Sequence, residues 1–378
     1  MQMYFDLSIP TKIKIGSLDE LKAFLLKLKD RELLIVLSDR MEARFQLSDT
    51  IDILKKGNKV SRIDKVPANP TELDIHKALF NIEGGYDYVF ALGGGSAIDL
   101  AKAVIALQYL GPIGCDGETI IHSVRTKEYS KYQEKLEFLA VPTTAGTGSE
   151  ITSWATVWNS NGYEKLSIDA PWLAPDYAFI VPELTATLPL RLTLSTGLDA
   201  LTHATESYWS RKSNPISREL SKTAIQLIVQ GLDRVIVNPG DMEGRTWMCV
   251  GAVYAGMAFA NTRTTACHSI SYPITMRFGV EHGFAVALTL VGVMRYNRNS
   301  IIELRVLLQA FGAKDIGDIK RWLDHICYGI QPLRLQAFGI KQEDIQLIAE
   351  MSFTAGRMDN NPVDLDINAV KDILMDCV

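Results

Sequence analysis

The chain has few cysteines and no surplus of basic residues. Only five cysteines occur in 378 residues: Cys115, Cys249, Cys267, Cys327 and Cys377. Their number is odd, they are scattered, and no Cys-x-x-Cys pair is present, so neither a disulfide framework nor a structural zinc ribbon is signalled. Reduced thiols in the cytoplasm are the simplest expectation. Lys and Arg number 39 against 44 Asp and Glu, giving a formal charge of −5. Without a basic excess, a general nucleic-acid surface is disfavoured, although a local pocket for a small anion is not. Long apolar runs are also missing. The most apolar stretch, FAVALTLVGVM (Phe284–Met294), is too short to span a bilayer and predicts a buried helix. The first residues, MQMYFDLSIP, lack a basic segment followed by an apolar core, so no signal peptide is expected. There is no internal repeat and no low-complexity segment. What is present is an ordinary globular composition, 47% hydrophobic and 22% charged, at a length that suits two domains.

The two halves differ in periodicity. RELLIVLSD (Arg31–Asp39), YDYVFALGGGS (Tyr86–Ser96) and LEFLAVPTTAGTGSE (Leu136–Glu150) are short buried-strand patterns. Amphipathic segments separate them, such as LDELKAFLLKLKD (Leu18–Asp30) and AIDLAKAVIALQ (Ala97–Gln108). This alternation predicts an α/β domain with a parallel sheet covered by helices. From about Pro182 the helical period dominates, and the second domain is expected to be all-α. We place the boundary near Ile180–Pro189, giving domains 1–182 and 183–378.

GGGSAID (Gly93–Asp99) leaves a strand and opens a helix. Glycines allow close backbone approach, and a helix N-terminus offers free N–H groups to a phosphate. Ile98 stands where the usual dinucleotide fingerprint has its third glycine, and no Lys-Ser/Thr of a P-loop follows. A tight strand–helix turn without ligand is an equal reading of this segment alone. TTAGTGSE (Thr143–Glu150) offers hydroxyls and glycines at the end of the next strand, where open α/β sheets bind ligands. The two loops together favour a nucleotide site. Asp39, ending the earlier strand, suits a ribose 2′-hydroxyl and would favour NAD over NADP; adjacent Arg40 weakens this, and a charged loop residue is the alternative.

In the helical half, STGLDALTHATES (Ser195–Ser207) puts Asp199 and His203 at i and i+4, on one helix face. Thr196-x-x-Asp199 also reads as a capping box, which would give Asp199 a structural task. NTRTTACHSISYPITMRFGVEHG (Asn261–Gly283) adds His268 and His282. One carboxylate and three imidazoles suit a divalent first-row ion such as Fe²⁺ or Zn²⁺ with a position left for substrate. Such an ion beside a nicotinamide performs alcohol oxidation and aldehyde reduction. His76, His122 and His325 read as surface or core residues.

GGGSAIDLAKAV, VPTTAGTGSEIT, STGLDALTHATES and VEHGFAVAL, with VPANPT (Val66–Thr71) before them, occur in the order and spacing of the iron-containing (group III) alcohol dehydrogenase family, which this chain resembles over nearly its whole length. The resemblance implies an N-terminal Rossmann-like domain, an all-helical C-terminal domain in a dehydroquinate synthase-like architecture, and an active site between them. It places the metal ligands on Asp199, His203, His268 and His282, and the pyrophosphate turn on Gly94, Gly95 and Ser96, with Asp99 just beyond. Thr143, Thr144, Thr147 and Ser149 would line the nicotinamide and ribose, and Asp39 would be the acid after the second strand. Many members carry a histidine four residues after the third ligand; here it is Tyr272, so an imidazole proton relay is in doubt and a phenol or water chain would replace it.

NTRTTACHSISYPIT further resembles the phosphonoacetaldehyde reductase branch. A doubly anionic phosphonate wants a planar fork of donors. Arg263, one to two turns from His268 if that segment is helical, would supply it, with Arg357 and Asn361 in GRMDNNPVD (Gly356–Asp364); pairing of Arg263 with a carboxylate is the alternative. The expectation is an NAD(P)H-linked reductase, with Fe²⁺ or Zn²⁺, of phosphonoacetaldehyde to 2-hydroxyethylphosphonate. Competing readings are a dehydrogenase of short uncharged alcohols or diols, a dehydroquinate synthase-like cyclase, and a non-catalytic assembly protein. The expected partners are a small aldehyde or alcohol and a second copy of the chain, with neither nucleic acid nor membrane.

Overall fold

The computed structural model describes residues 7–82, 84–111, 115–133, 136–161 and 164–378; the first six residues of the N-terminal stretch read above lie outside them. The chain divides into two compact units. One comprises Ile9–Thr144 and Ser149–Thr185; the other comprises Ala186–Val378, with Ala145–Gly148 and residues 7–8. The short loop from the third predicted strand thus groups with the helical half.

The first unit contains β1 (Lys12–Ile15), α1 (Leu18–Leu25), β2 (Glu32–Val36), α2 (Asp39–Arg44), α3 (Ser48–Gly57), β3 (Lys59–Ile63), α4 (Glu72–Phe80), β4 (Tyr88–Gly93), α5 (Gly95–Leu107), α6 (Gly117–Thr126), β5 (Glu137–Pro142), β6 (Trp154–Asn159), β7 (Glu164–Asp169) and β8 (Tyr177–Ile180). Six strands form one sheet in the order β1-β8-β5-β4-β2-β3, and every pairing in it is parallel. Successive side chains along β2 and β4 go to opposite faces. Leu33, Ile35 and Phe90 pack in one apolar layer with Leu21 and Ile51 of α1 and α3. Leu34, Val36 and Val89 pack in the other with Ile75, Ile98 and Ile120 of α4, α5 and α6. Burial on both faces explains why these strands read as continuous apolar runs. β6 and β7 form a separate antiparallel hairpin, a departure from the purely parallel expectation. The chain leaves β2 toward β3 on one side and leaves β4 toward β5 on the other. The switch point of the sheet therefore lies between β2 and β4, where ligands of open α/β sheets bind.

α5 carries a buried lysine with a structural task. The Lys102 ammonium donates to the carbonyls of Ser149 (2.5 Å), Thr152 (2.6 Å) and Trp154 (3.1 Å). One turn earlier, Asp99 accepts from the Thr156 amide at 2.9 Å. Together they pin the segment from Ser149 to Thr156 against the helix. Buried Glu150 lies beside them, and burial raises its carboxyl from 4.5 to about 7, against the opposing pull of its own amide and Lys102. Between those values the folded chain keeps a proton that the unfolded chain has released. Stability contributed by Glu150 is therefore full below about pH 4.5 and is lost as pH rises through 7. Glu150→Gln should remove this loss, so that denaturant midpoints of variant and parent diverge in the variant's favour between acid and mildly alkaline pH. A pH-independent difference would refute the assignment.

The second unit consists of α7 (Leu190–Trp209), α8 (Pro215–Val237), α9 (Met242–Thr262), α10 (Ala266–Phe278), α11 (His282–Asn297), α12 (Leu304–Ala310), α13 (Ile316–Cys327), α14 (Ile345–Met351) and α15 (Ile367–Met375). The apolar run Phe284–Met294 is buried within α11, as its composition predicts. α7 is central: apart from Thr196, both its apolar positions and its polar ones, from Ser195 through Ser207, are buried. α11 approaches it closely, since a Cβ at Gly283 would stand 1.7 Å from the Ser195 carbonyl oxygen. All five cysteines are buried and unpaired in disulfides. No helix among the described residues is long and apolar enough to cross a membrane.

Candidate metal centre and nucleotide turns

α7 begins at Leu190, after Pro189, so Thr196 and Asp199 lie well inside the helix. The Thr196 hydroxyl donates back to the Leu192 carbonyl at 3.0 Å and caps nothing. The capping-box reading of Asp199 is therefore wrong; the Thr-x-x-Asp spacing arises within a continuing helix. Asp199 is instead 4% exposed and faces imidazoles. Its Oδ1 lies 3.7 Å from His203 Nδ1 one turn on, 3.5 Å from His268 Nε2 of α10, and 4.0 Å from His282 Nε2 at the start of α11. The rings of His203 and His268 stack at 4.4 Å, and His203 also stacks on Phe259 of α9 at 4.1 Å. Asp199, His268 and His282 offer three ligand atoms all within 4.8 Å of one another.

The donor set fits a divalent ion. Ligands about 2.1 Å from a tetrahedral ion stand roughly 3.4 Å apart, close to the separations around Asp199. Asp199 Oδ1 and His268 Nε2 are buried and make no hydrogen bond, a costly arrangement unless something else occupies them. The charges agree. Burial would raise the Asp199 carboxyl, but His203, His268 and His282 overcome it and hold the group far below the usual carboxylate range. Burial would likewise lower His268, yet Glu206 and Asp199 bring it up to about 9. Two buried carboxylates amid imidazoles leave the pocket short of positive charge.

Glu206 escaped the sequence reading. It sits on α7 one turn beyond His203, and its fully buried carboxylate accepts from His268 Nδ1 at 2.5 Å. Its signal was available, since Asp199, His203 and Glu206 recur at helical spacing in one quoted stretch; its partner, 62 residues away, was not. Glu281, just before His282, is held by Arg191 at 2.8 Å. Tyr272 stands on the same face of α10 as His268, its ring 6.1 Å from that of His282 and nearly parallel to it.

The anion-anchor residues fall differently. Arg263 is not in a helix with His268: it ends α9 at φ 63°, ψ 172°, and α10 begins three residues later. That backbone region is essentially glycine's, and a side chain there costs about 1–3 kcal/mol. Arg263 is half-buried. Arg357, also half-buried, donates to the Gly356 carbonyl at 3.1 Å. Asn361 has no exposed surface; it exchanges amide hydrogen bonds with Asn297 at 2.9 and 2.8 Å and donates to the Val363 carbonyl. Its amide is consumed by the fold, which leaves Asn361 no donor for a substrate, contrary to the expectation.

In the other unit, Gly94 is the N-cap of α5, with no side chain capping the helix start. Its first amides are thus offered to an anion. Gly95 and Ser96 open that helix, and Ser96 Oγ accepts from the Asn69 amide at 3.2 Å. A Cβ on Gly93 would meet Ala97 at 2.5 Å, which explains that glycine by packing. Thr143, leaving β5, donates its amide to the Gly93 carbonyl at 2.9 Å, and Thr144 lies against Gly94. Asp39 follows β2, so it and the glycine turn end the two strands flanking the switch point. It pairs with Arg62 at 2.8 Å, as does Glu42 at 2.5 Å. Asp99 turns to Thr156, and the backbone of buried Ser149 is held by Lys102, so both serve the fold. Thr147 lies in the short loop Ala145–Gly148 that groups with the helical unit.

Both units of the chain are similar to known proteins. Residues 10–182 match the profile of iron-containing alcohol dehydrogenases, and residues 193–378 match that of the C-terminal part of the same family. Long-chain-alcohol dehydrogenase 1 of Geobacillus thermodenitrificans is 34% identical over 290 residues, 75% of this chain and 71% of that protein. A phosphonoacetaldehyde reductase of Streptomyces viridochromogenes is 38% identical over 213 residues, 56% of this chain and 53% of that protein, about half its length. The structure of sulfoacetaldehyde reductase from Bifidobacterium kashiwanohense in complex with NAD⁺ superposes with a TM-score of 0.83 at 25% identity, covering 100% of this chain and 99% of that one. With both halves matched and the metal-type cluster in place, the chain belongs to the iron-containing alcohol dehydrogenase family and is an oxidoreductase.

Proposed function

We propose that this protein is an NAD(P)H-linked reductase of a small anionic aldehyde, phosphonoacetaldehyde being the best candidate, and that it oxidises the corresponding alcohol in reverse. Asp199, His203, His268 and His282 would hold the metal, Fe²⁺ first and Zn²⁺ second. When bound, the metal polarises a carbonyl and the nicotinamide supplies hydride. The chain's own part is to fix the donors. α7 and α10 present Asp199 and His268 from buried positions, and Arg191 anchors the residue before His282. Tyr272, beside His282, stands where many family members carry a histidine four residues after His268, and would pass the proton through its phenol or an adjoining water. Gly94, Gly95 and Ser96 would receive the pyrophosphate, and Thr143, Thr144 and Thr147 the nicotinamide ribose. Asp39 and Glu42 share one guanidinium, which leaves negative charge at the end of β2 and favours a free 2′-hydroxyl, hence NAD. A cytoplasmic dimer is part of the proposal.

The observation that carries the anionic substrate is Arg263. It is held in a strained backbone conformation, two residues before Thr265, whose amide bonds Glu206. Strain of this kind persists where a side chain is wanted in one place. Arg263→Ala should raise KM for phosphonoacetaldehyde roughly 10- to 100-fold, the loss of a charged hydrogen-bonded anchor, and leave propanal unchanged. Arg263→Gly, which relaxes the backbone, should show the same selectivity loss while gaining stability. Equal KM values for both aldehydes in parent and variants would remove Arg263 as the anchor. The similarity to a long-chain-alcohol dehydrogenase favours the second reading, an uncharged alcohol on the same site. NADH and NADPH oxidation with both aldehydes in parallel decides it: a hundredfold preference for the phosphonate, about 3 kcal/mol, supports the first reading, and better turnover of propanal the second.

A further inference from the structure

The Glu206 carboxylate is fully buried and accepts four hydrogen bonds. Oε1 receives the Cys267 amide at 2.6 Å and the Thr265 hydroxyl at 2.8 Å; Oε2 receives the Thr265 amide at 3.0 Å and His268 Nδ1 at 2.5 Å. A carboxylate has about four acceptor sites, so this one is saturated. Thr265 is the N-cap of α10, yet its own side chain caps nothing. The opening amides of α10 are satisfied instead by a side chain from α7. The same group that seats α10 thus holds the ring of the histidine lying one turn into it.

We infer that Glu206 is the positioning residue of the metal centre: it fixes His268 as the Nδ1–H tautomer and aims Nε2 at Asp199. The inference rests on the reading that Asp199 and the histidines hold a metal. An ionised carboxylate only accepts, so the shared hydrogen must sit on Nδ1; the neutral ring, the form that ligates a metal, then carries its lone pair on Nε2. Nε2 is the buried nitrogen with no hydrogen-bond partner, 3.5 Å from Asp199 Oδ1. The other contacts of the link brace Glu206. Trp209 Nε1 donates to the Thr265 hydroxyl at 2.9 Å, and the Asn360 amide donates to the carbonyls of Thr262 and Thr264 at 2.8 and 3.0 Å. The position of His268 is thereby determined from α7, the helix that also carries Asp199 and His203.

A glutamine at this position cannot reproduce the pattern. With its NH₂ at the Oε2 site it meets the Thr265 N–H and obliges Nδ1 to accept, which moves the ring proton onto Nε2. With its NH₂ at the Oε1 site it meets the Cys267 N–H. The test compares zinc affinity of full-length parent and Glu206→Gln by chelator competition, alongside the urea midpoint of each. The expected result is 10- to 100-fold weaker zinc binding in the folded variant, as for other outer carboxylate partners of metal-bound histidine. A purely structural carboxylate would lower the urea midpoint and leave the zinc affinity of the folded protein unchanged, which overturns the inference. A second measurement does not depend on the variant folding. ¹⁵N-histidine spectra of the zinc-loaded parent, with His268 assigned through His268→Asn, should show a protonated Nδ1 and a metal-bound Nε2; metal on Nδ1 overturns it. A parent that binds no zinc removes the metal reading and this inference together, whereas zinc bound equally by parent and variant removes the inference alone.

Discussion

Asp199→Ala should yield a protein that binds no divalent metal and does not turn over aldehyde. Asp199 is the carboxylate that meets all three of His203, His268 and His282, at 3.5–4.0 Å from a ring nitrogen of each. Without it, three imidazoles face one another with only the bonded Glu206 to balance a dication. Loss of the ion removes the main stabilisation of a developing alkoxide, so the expected fall in kcat/KM is on the order of 10,000-fold, about 5 kcal/mol. Asp199→Asn keeps the volume and drops the charge; it should fold like the parent and fail in the same way. Metal content by elemental analysis and NADH oxidation are the two readouts. Full activity in either variant without metal would end this account of the centre.

Gly283→Ala should cost more in stability than any other single methyl on the face of α11 that meets α7. The added carbon would stand 1.7 Å from the Ser195 carbonyl oxygen and 2.5 Å from its carbon, both main-chain atoms that no rotamer can move. Restoring ordinary contact requires the helices to separate by about 1.5 Å. Overpacking a core typically costs 1–3 kcal/mol, and an obligatory backbone shift puts this one at about 3 kcal/mol or more. The same shift carries His282, the adjacent residue, away from Asp199, four residues along α7 from Ser195. Denaturant unfolding and zinc affinity should therefore fall together. A variant with parental stability and affinity would mean that α11 tolerates the displacement and that the close approach is not needed by the site.

These two positions illustrate what a sequence can disclose. Asp199 and His203 share a helix face at i and i+4, which local periodicity reveals. The depth of Gly283 against Ser195 depends on two helices far apart in the chain, which periodicity does not encode. The same division runs through the fold. β2, β4 and β5 were legible because burial on both faces makes them apolar throughout. β1, with the sequence KIKI, and β3, with KVSRI, are sheet edges whose interspersed charged residues mask the pattern. The β6–β7 hairpin is short and half-exposed, and it is tied to α5 by Asp99, a contact that no motif announces. Thr196 misled because Thr-x-x-Asp means a cap only at a helix start. Arg263 misled because its residue type gives no hint of a positive φ. Asn361 misled because an asparagine in a polar loop was in fact satisfied by Asn297.

The burial of every cysteine has a practical meaning. Burial raises the thiol of Cys267 far above its ordinary range and pushes those of Cys327 and Cys377 up to about 12. A thiol that is neither exposed nor ionised does not react with an alkylating reagent. Each label acquired therefore records an excursion of the chain out of its native packing. Because Cys267 lies beside His268 and the others are spread over both units, the order in which the five are modified would provide a map, residue by residue, of which parts of the protein open first.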